Sequence, residues 1–168
     1  CASHYGDKEH IRVLNGWIKK ININKKLLKC GIHNPLNLKS SNKLLLSGLK
    51  PHQLHNNCAG KHLGMLSGCI MYDMNLKNYL NLNHPYQKII RKYLEFFTEC
   101  KITNKQKGID GCSAPQYAFP LKNLSISMIN LIKHYKEARD YSNISMLHNH
   151  WDRGYILTIK NRTFIMTP

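Results

Sequence analysis

Residues 56–73 read NNCAGKHLGMLSGCIMYD. Two asparagines and a cysteine give way to a run in which Leu63, Leu66 and Ile70 recur at helical spacing, so a helix is expected over 61–73. Gly60, Gly64 and Gly68 recur every four residues along another face. Glycine weakens a helix, so this face predicts very close backbone approach by a neighbour. Asn56, Asn57, Cys58, Lys61 and His62 crowd the start of the helix, where free backbone N–H groups can hold an anion or a developing oxyanion. Cys58 and Lys61 lie three apart and share one face of a helical turn.

Working outward, residues 7–21 open with Asp7 and Glu9, acids suited to a helix start, and then set Ile11, Leu14, Ile18 and Ile21 on one stripe. A short helix near 24–30 should stop at Gly31, where GIHNP turns the chain. Asn83-His84-Pro85 starts another helix, followed by Ile90, Leu94 and Phe97. GIDGCSAPQYAFP, residues 108–120, fits no regular period and reads as an ordered loop. Leu124, Met128, Leu131, Ile132 and Tyr135 make a further amphipathic helix. Strand-like alternation is scarce before GYILTIKNRTFIM at 154–166, which predicts a terminal strand or hairpin.

The chain of 168 residues suits one domain able to bury its own core. A hydrophobic content of 42% with 20% charged residues describes an ordinary globule, not a disordered chain. The best apolar run, GMLSGCIMY at 64–72, is far shorter than the ~18 residues of a membrane span. No charged leader precedes an apolar stretch, so no signal peptide is expected. Cys1 already stands in motif-like sequence, which suggests that the chain begins inside a larger fold.

The net charge of +16, from 25 basic and 9 acidic residues, raises the question of a nucleic-acid partner. The lysines are scattered, no basic run exceeds two, and arginine-glycine repeats, RNA-binding aromatics and zinc-finger spacing are lacking. A generally basic surface with no specific nucleic acid is the expectation. Six cysteines form no CxxC and no close pair, which fits reduced thiols in a cytoplasmic setting.

Chemistry alone leaves the candidate residues open. Ser3, in CASH, could be a nucleophile or simply sit in a solvated turn. Cys58 and Cys112, 54 positions apart, could ligate a metal or be small buried hydrophobes. His62 could bond a backbone carbonyl, and Asp110 could simply cap the turn before Cys112.

The ordered series CASHYGDKEH, CGIHNP, GLKPHQLHNNCAGKHLGML, YLNLNHPYQKII and GIDGCSAPQYAFPL resembles the bacterial L-asparaginase II family of the rhizobial type. The resemblance runs from Cys1 to about Leu124, and HNHWDRGYILTIKNRTFIMTP, in the tail from about 139, looks unlike the family. It implies an α+β fold, the mostly helical portion of a serine β-lactamase-like fold with little of its sheet. It implies hydrolysis of L-asparagine to L-aspartate and ammonia. The matching positions imply catalytic roles for Ser3, Asp110 and His62, and one zinc ion per chain on Cys58, Lys61 and Cys112. The intact family is homodimeric. Its nucleophile and activating lysine belong to a Ser-x-x-Lys pair upstream of CASH, so residues 1–168 are expected to form a single partial domain, impaired or inactive alone. The alternatives are a non-catalytic remnant or zinc-binding interaction domain, and then a basic nucleic-acid-binding module.

Overall fold

Asp7 caps the first helix, α1 (Lys8–Lys20), by accepting the His10 backbone N–H at 3.0 Å. Glu9 in the first turn and Lys19 and Lys20 in the last oppose the helix dipole at both ends. Leu14 is buried, and Ile11, Ile18 and Ile21 of its stripe pack beside it. The computed structural model to which α1 belongs describes residues 3–140, 144–147, 155–159 and 162–166, with side chains from Ser3 to His134.

The helix expected near 24–30 is a single 3-10 turn, Lys25–Leu27. Asn24 caps it, and Leu28 then goes extended and is buried in the core instead of continuing the turn. Helix α2 (Leu38–Leu46) was not signalled by apolar spacing, because its leucines do not form a buried stripe: Leu38, Leu45 and Leu46 all face solvent. Asn37 starts it by accepting the Ser40 N–H at 2.9 Å.

Helix α3 (Ala59–Met71) is the centre of the molecule, with Ala59, Leu63, Leu66 and Cys69 fully buried. Each buried leucine contributes about 1.5–3 kcal/mol relative to exposure. Trp17 Nε1 of α1 donates to Ser67 Oγ at 2.9 Å and ties the two helices together. The glycine face differs from expectation. A Cβ on Gly68 would lie 2.0 Å from the Tyr86 ring and hydroxyl, so the close neighbour there is a side chain and not a backbone. A Cβ on Gly64 would meet nothing within 4 Å.

Helix α4 (Pro85–Thr98) begins with His84 as cap and proline in its first turn, and ends on Glu99 in the left-handed region (φ 50°). Helix α5 (Leu121–Asp140) packs on α4. Asn123 and Asn130 of α5 donate to the Thr98 and Phe97 carbonyls, two of the last oxygens of α4 that lack a helical partner.

GIDGCSAP, expected as a loop, is the bend of a hairpin between β1 (Lys107–Ile109) and β2 (Pro115–Tyr117). Three-residue strands are too short to show alternation, so the sequence carried no strand signal. A second antiparallel sheet has the order β3 (Ile144–Leu147), β4 (Tyr155–Ile159), β5 (Arg162–Met166), with Ile159 opposite Arg162 across the last hairpin. The chain is therefore α+β and mostly helical.

Candidate functional site

The site is built where four sequence motifs meet. In the turn before α3, the Asn56 side chain accepts the Cys58 N–H at 2.8 Å and donates to the Gly31 carbonyl at 3.0 Å. The Asn57 backbone N–H donates to His33 Nε2 at 3.1 Å, while His33 Nδ1 faces the Asn34 carbonyl at 2.6 Å and donates to it. The asparagine pair thus locks the helix start onto CGIHNP. On the other side, the His4 N–H donates to the Asn57 carbonyl, and Asn57 Nδ2 donates to Ser3 Oγ, both at 3.1 Å. Gly6 makes this approach feasible: its φ is +70°, and a Cβ there would stand 2.6 Å from the His55 carbonyl oxygen.

Across from this turn lies the bend of the β1–β2 hairpin. Asp110 Oδ1 accepts the N–H groups of Cys112 at 2.9 Å and Ala114 at 3.0 Å. The Asp110 N–H donates to the Ala114 carbonyl at 2.9 Å, and Ser113 takes a positive φ of 67° to close the bend. Asp110 is therefore a turn cap, and it is also more than that. Its second oxygen, Oδ2, lies 2.5 Å from Lys61 Nζ in the first turn of α3.

Four predicted residues thus share one contact network. Lys61 bonds Asp110, His62 Nε2 lies 3.2 Å from Cys112 Sγ, and the Cys112 backbone N–H donates to the Asp110 carboxylate. Cys58 joins through its electrostatic contact with Lys61. Ser3 joins through Asn57.

The charges follow from this arrangement. Burial pushes Asp110 upward, but hydrogen bonds from Cys112, Lys61 and two backbone N–H groups outweigh it and hold the carboxyl at about 2. Burial likewise works against the Lys61 ammonium, and its bonds to Asp110 and Cys112 reverse that and raise it. Burial, then the bond to Asp110, pushes the Cys112 thiol up to about 12. Burial and the nearby Lys61 charge push His62 down to about 4. At neutral pH the cluster holds a carboxylate, an ammonium, a thiol and a neutral imidazole.

Two residues at the site carried no chemical signal in the sequence. Tyr79, fully buried, lies with its hydroxyl 2.6 Å from His62 Nδ1. Cys30, also buried, is in electrostatic contact with Cys58 and Lys61. Both fall inside motifs, YLNLNHP and CGIHNP, whose individual side chains had no chemistry assigned. Helix α2 and the residues after it contain two Ser-x-x-Lys spacings, Ser40 to Lys43 and Ser47 to Lys50. Both lysines are exposed, and the Ser47 hydroxyl donates to the Lys43 carbonyl at 2.8 Å, so neither spacing forms a buried nucleophile pair.

Among the described residues, no three His, Cys, Asp or Glu side chains are grouped to hold a metal ion. A metal at Cys58 and Cys112 therefore needs the Lys61 nitrogen as a third donor. Among the same residues, no helix is long and apolar enough to cross a membrane. The described cysteines are free thiols.

An α+β domain with a lysine–carboxylate pair, a buried thiol and a neutral histidine at one helix start defines a polar site at the junction of four motifs. The family model described as L-asparaginase II matches residues 1–149, and the chain belongs to the L-asparaginase II family. Comparison with curated proteins gives no match.

Proposed function

We propose that this site binds L-asparagine and belongs to an amide-hydrolysing centre that converts L-asparagine and water to L-aspartate and ammonia. The observation that carries this reading is the Lys61–Asp110 bond beside Cys112, inside the stretch that matches the family. In hydrolysis, an oxygen adds to the side-chain amide carbon, the C–N bond breaks, and the nitrogen leaves as ammonia after gaining a proton. Asp110 orients Lys61, whose ammonium offers positive charge to a developing oxyanion. The Ser3 hydroxyl is the group at this site that can pass a proton, while His62, fully buried with Tyr79 on one ring nitrogen and Cys112 on the other, supports the site from behind.

Cys58, Lys61 and Cys112 would hold one zinc ion. Two thiolates and an amine suit this borderline-soft ion; in that alternative state Lys61 would be the neutral amine without its bond to Asp110, and the ion's charge would take the place of the ammonium's. Zinc would supply a fixed positive charge and a cross-link between α3 and the hairpin. The serine β-lactamase-like fold, homodimer and cytoplasmic setting of the family belong to the same proposal.

Residues 1–168 expressed alone supply the binding half of this centre and turn over feebly. The family's nucleophile stands in a Ser-x-x-Lys pair upstream of CASH, and the two spacings near α2 face solvent. Loss of a nucleophile or base lowers turnover of serine hydrolases by ~10⁶. The test is ammonia release from L-asparagine by the purified chain, with and without zinc, beside Ser3→Ala and Asp110→Asn. Release near the uncatalysed background is expected. Robust release abolished by Ser3→Ala would show that the chain is a complete enzyme and overturn the claim of feebleness.

A further inference from the structure

A buried chain of hydrogen bonds runs from Lys29 through Tyr79 and His62 and ends on Cys112. The Lys29 backbone N–H can only donate, and it points at the Tyr79 hydroxyl oxygen at 2.9 Å. That oxygen is thereby an acceptor toward Lys29, and its own hydrogen needs another destination. Tyr79 has no exposed surface, so water does not provide one. His62 Nδ1 lies 2.6 Å away, with the two rings edge to face, and it receives the hydrogen. A nitrogen that accepts carries a lone pair, so the single proton of neutral His62 must sit on Nε2. Nε2 faces Cys112 Sγ at 3.2 Å.

We infer that Tyr79 is a positioning residue of this site: it fixes His62 in the Nε2–H tautomer, so that the ring donates a hydrogen bond to the Cys112 sulfur. The opposite tautomer would place Nδ1–H against a hydroxyl that already accepts from Lys29 and would strand the tyrosine hydrogen in a dry interior. The tyrosine is itself held in place. Buried Gln87 of α4 donates through Nε2 to the Tyr79 carbonyl at 2.8 Å. The sulfur then has a fixed donor on one side, and its lone pairs are oriented before any ligand arrives. This is the role that partners of the first ligands play in metal sites, where their loss lowers affinity about 10–100-fold. That last consequence rests on the zinc reading proposed above. The tautomer does not.

The experiment uses the whole chain. The ¹⁵N resonances of the His62 ring are recorded metal-free at about pH 7.5, above the ordinary histidine range near ~6.5. They are read for the unaltered protein, for Tyr79→Phe, and for Leu54→Val, which removes buried volume without touching the hydrogen-bond chain. Cobalt(II) binding is titrated on the same three samples. The expected result is the Nε2–H form in the unaltered protein and in Leu54→Val. In Tyr79→Phe the hydrogen bond to Nδ1 is lost, so the Nδ1 resonance should move toward that of an unbonded lone pair, and cobalt affinity should fall about 10–100-fold. Nδ1–H in the unaltered protein would overturn the inference, even if Tyr79→Phe failed to fold. So would a folded Tyr79→Phe with an unchanged Nδ1 resonance. If no sample binds cobalt, the metal reading fails and the tautomer result still decides the role of Tyr79.

Discussion

Lys61 Nζ and Asp110 Oδ2, 49 positions apart in sequence, lie 2.5 Å apart across the junction of α3 and the β1–β2 hairpin. Both side chains are mostly buried, at 18% and 23% exposure, so solvent screens the pair less than it would at a surface. Asp110 also anchors the bend through two N–H groups.

Asp110→Ala therefore removes three interactions at once. It should destabilise the fold by about 2–4 kcal/mol, between the values for a surface pair and a fully buried one. Asp110→Asn keeps an acceptor for the bend and loses only the charge, so its cost should be smaller. Urea denaturation of both variants checks the order, and equal costs would show that the turn contacts contribute nothing.

The two glycines of α3 should respond with opposite signs. Gly68→Ala drives a methyl into the Tyr86 ring and should cost about 1–3 kcal/mol. Gly64→Ala meets open space and should gain about 0.5–1 kcal/mol from helix propensity. Thermal melts of the two variants decide, and loss of stability in Gly64→Ala would contradict the packing described.

Acid should weaken the fold before any carboxylate titrates. Burial, helped by the nearby His10, pushes His4 from 6.5 down to about 4. Its Nδ1 accepts the Gly6 N–H at 3.0 Å, and its buried Nε2 has no hydrogen-bond partner. A lowered histidine pKa means that the unfolded chain takes up the proton first. Stability is thus intact above pH 6.5 and is lost as pH falls toward 4. Between pH ~7 and ~5, His4 should account for about 2 kcal/mol of this loss. His62, also pushed to about 4, adds a similar share. His4→Asn should make the slope of unfolding free energy against pH shallower in that window, the remainder coming from His62, His52 and His55, whose pKa values burial also lowers. An unchanged slope would contradict this assignment.

Much of the fold was legible because its helices begin with explicit signals. Asp7 and the His84-Pro85 pair mark the starts of α1 and α4; periodicity selected the packed stripe of α1 and the buried Leu63 and Leu66 of α3, but Ile70, one turn further on near the helix end, faces solvent. Helix α2 was silent because its leucines face water, and the β1–β2 hairpin was silent because its strands are three residues long. At the site, Cys58, Lys61, His62, Asp110 and Cys112 were legible as motif residues. Tyr79 was not, because a tyrosine's partner is set by tertiary packing: α4, through Gln87, and the Lys29 backbone turn its hydroxyl toward His62.

On the reading proposed above, α3 and the β1–β2 hairpin bind L-asparagine at the Lys61–Asp110 pair. This binding is tested most directly by titrating L-asparagine into ¹⁵N-labelled chain and following backbone amide shifts. Shifts should concentrate at residues 58–62 and 110–114, saturate, and vanish in Asp110→Asn, while L-leucine produces none. Absence of shifts at those residues at saturating L-asparagine, or shifts that persist unchanged in a folded Asp110→Asn, would contradict the account.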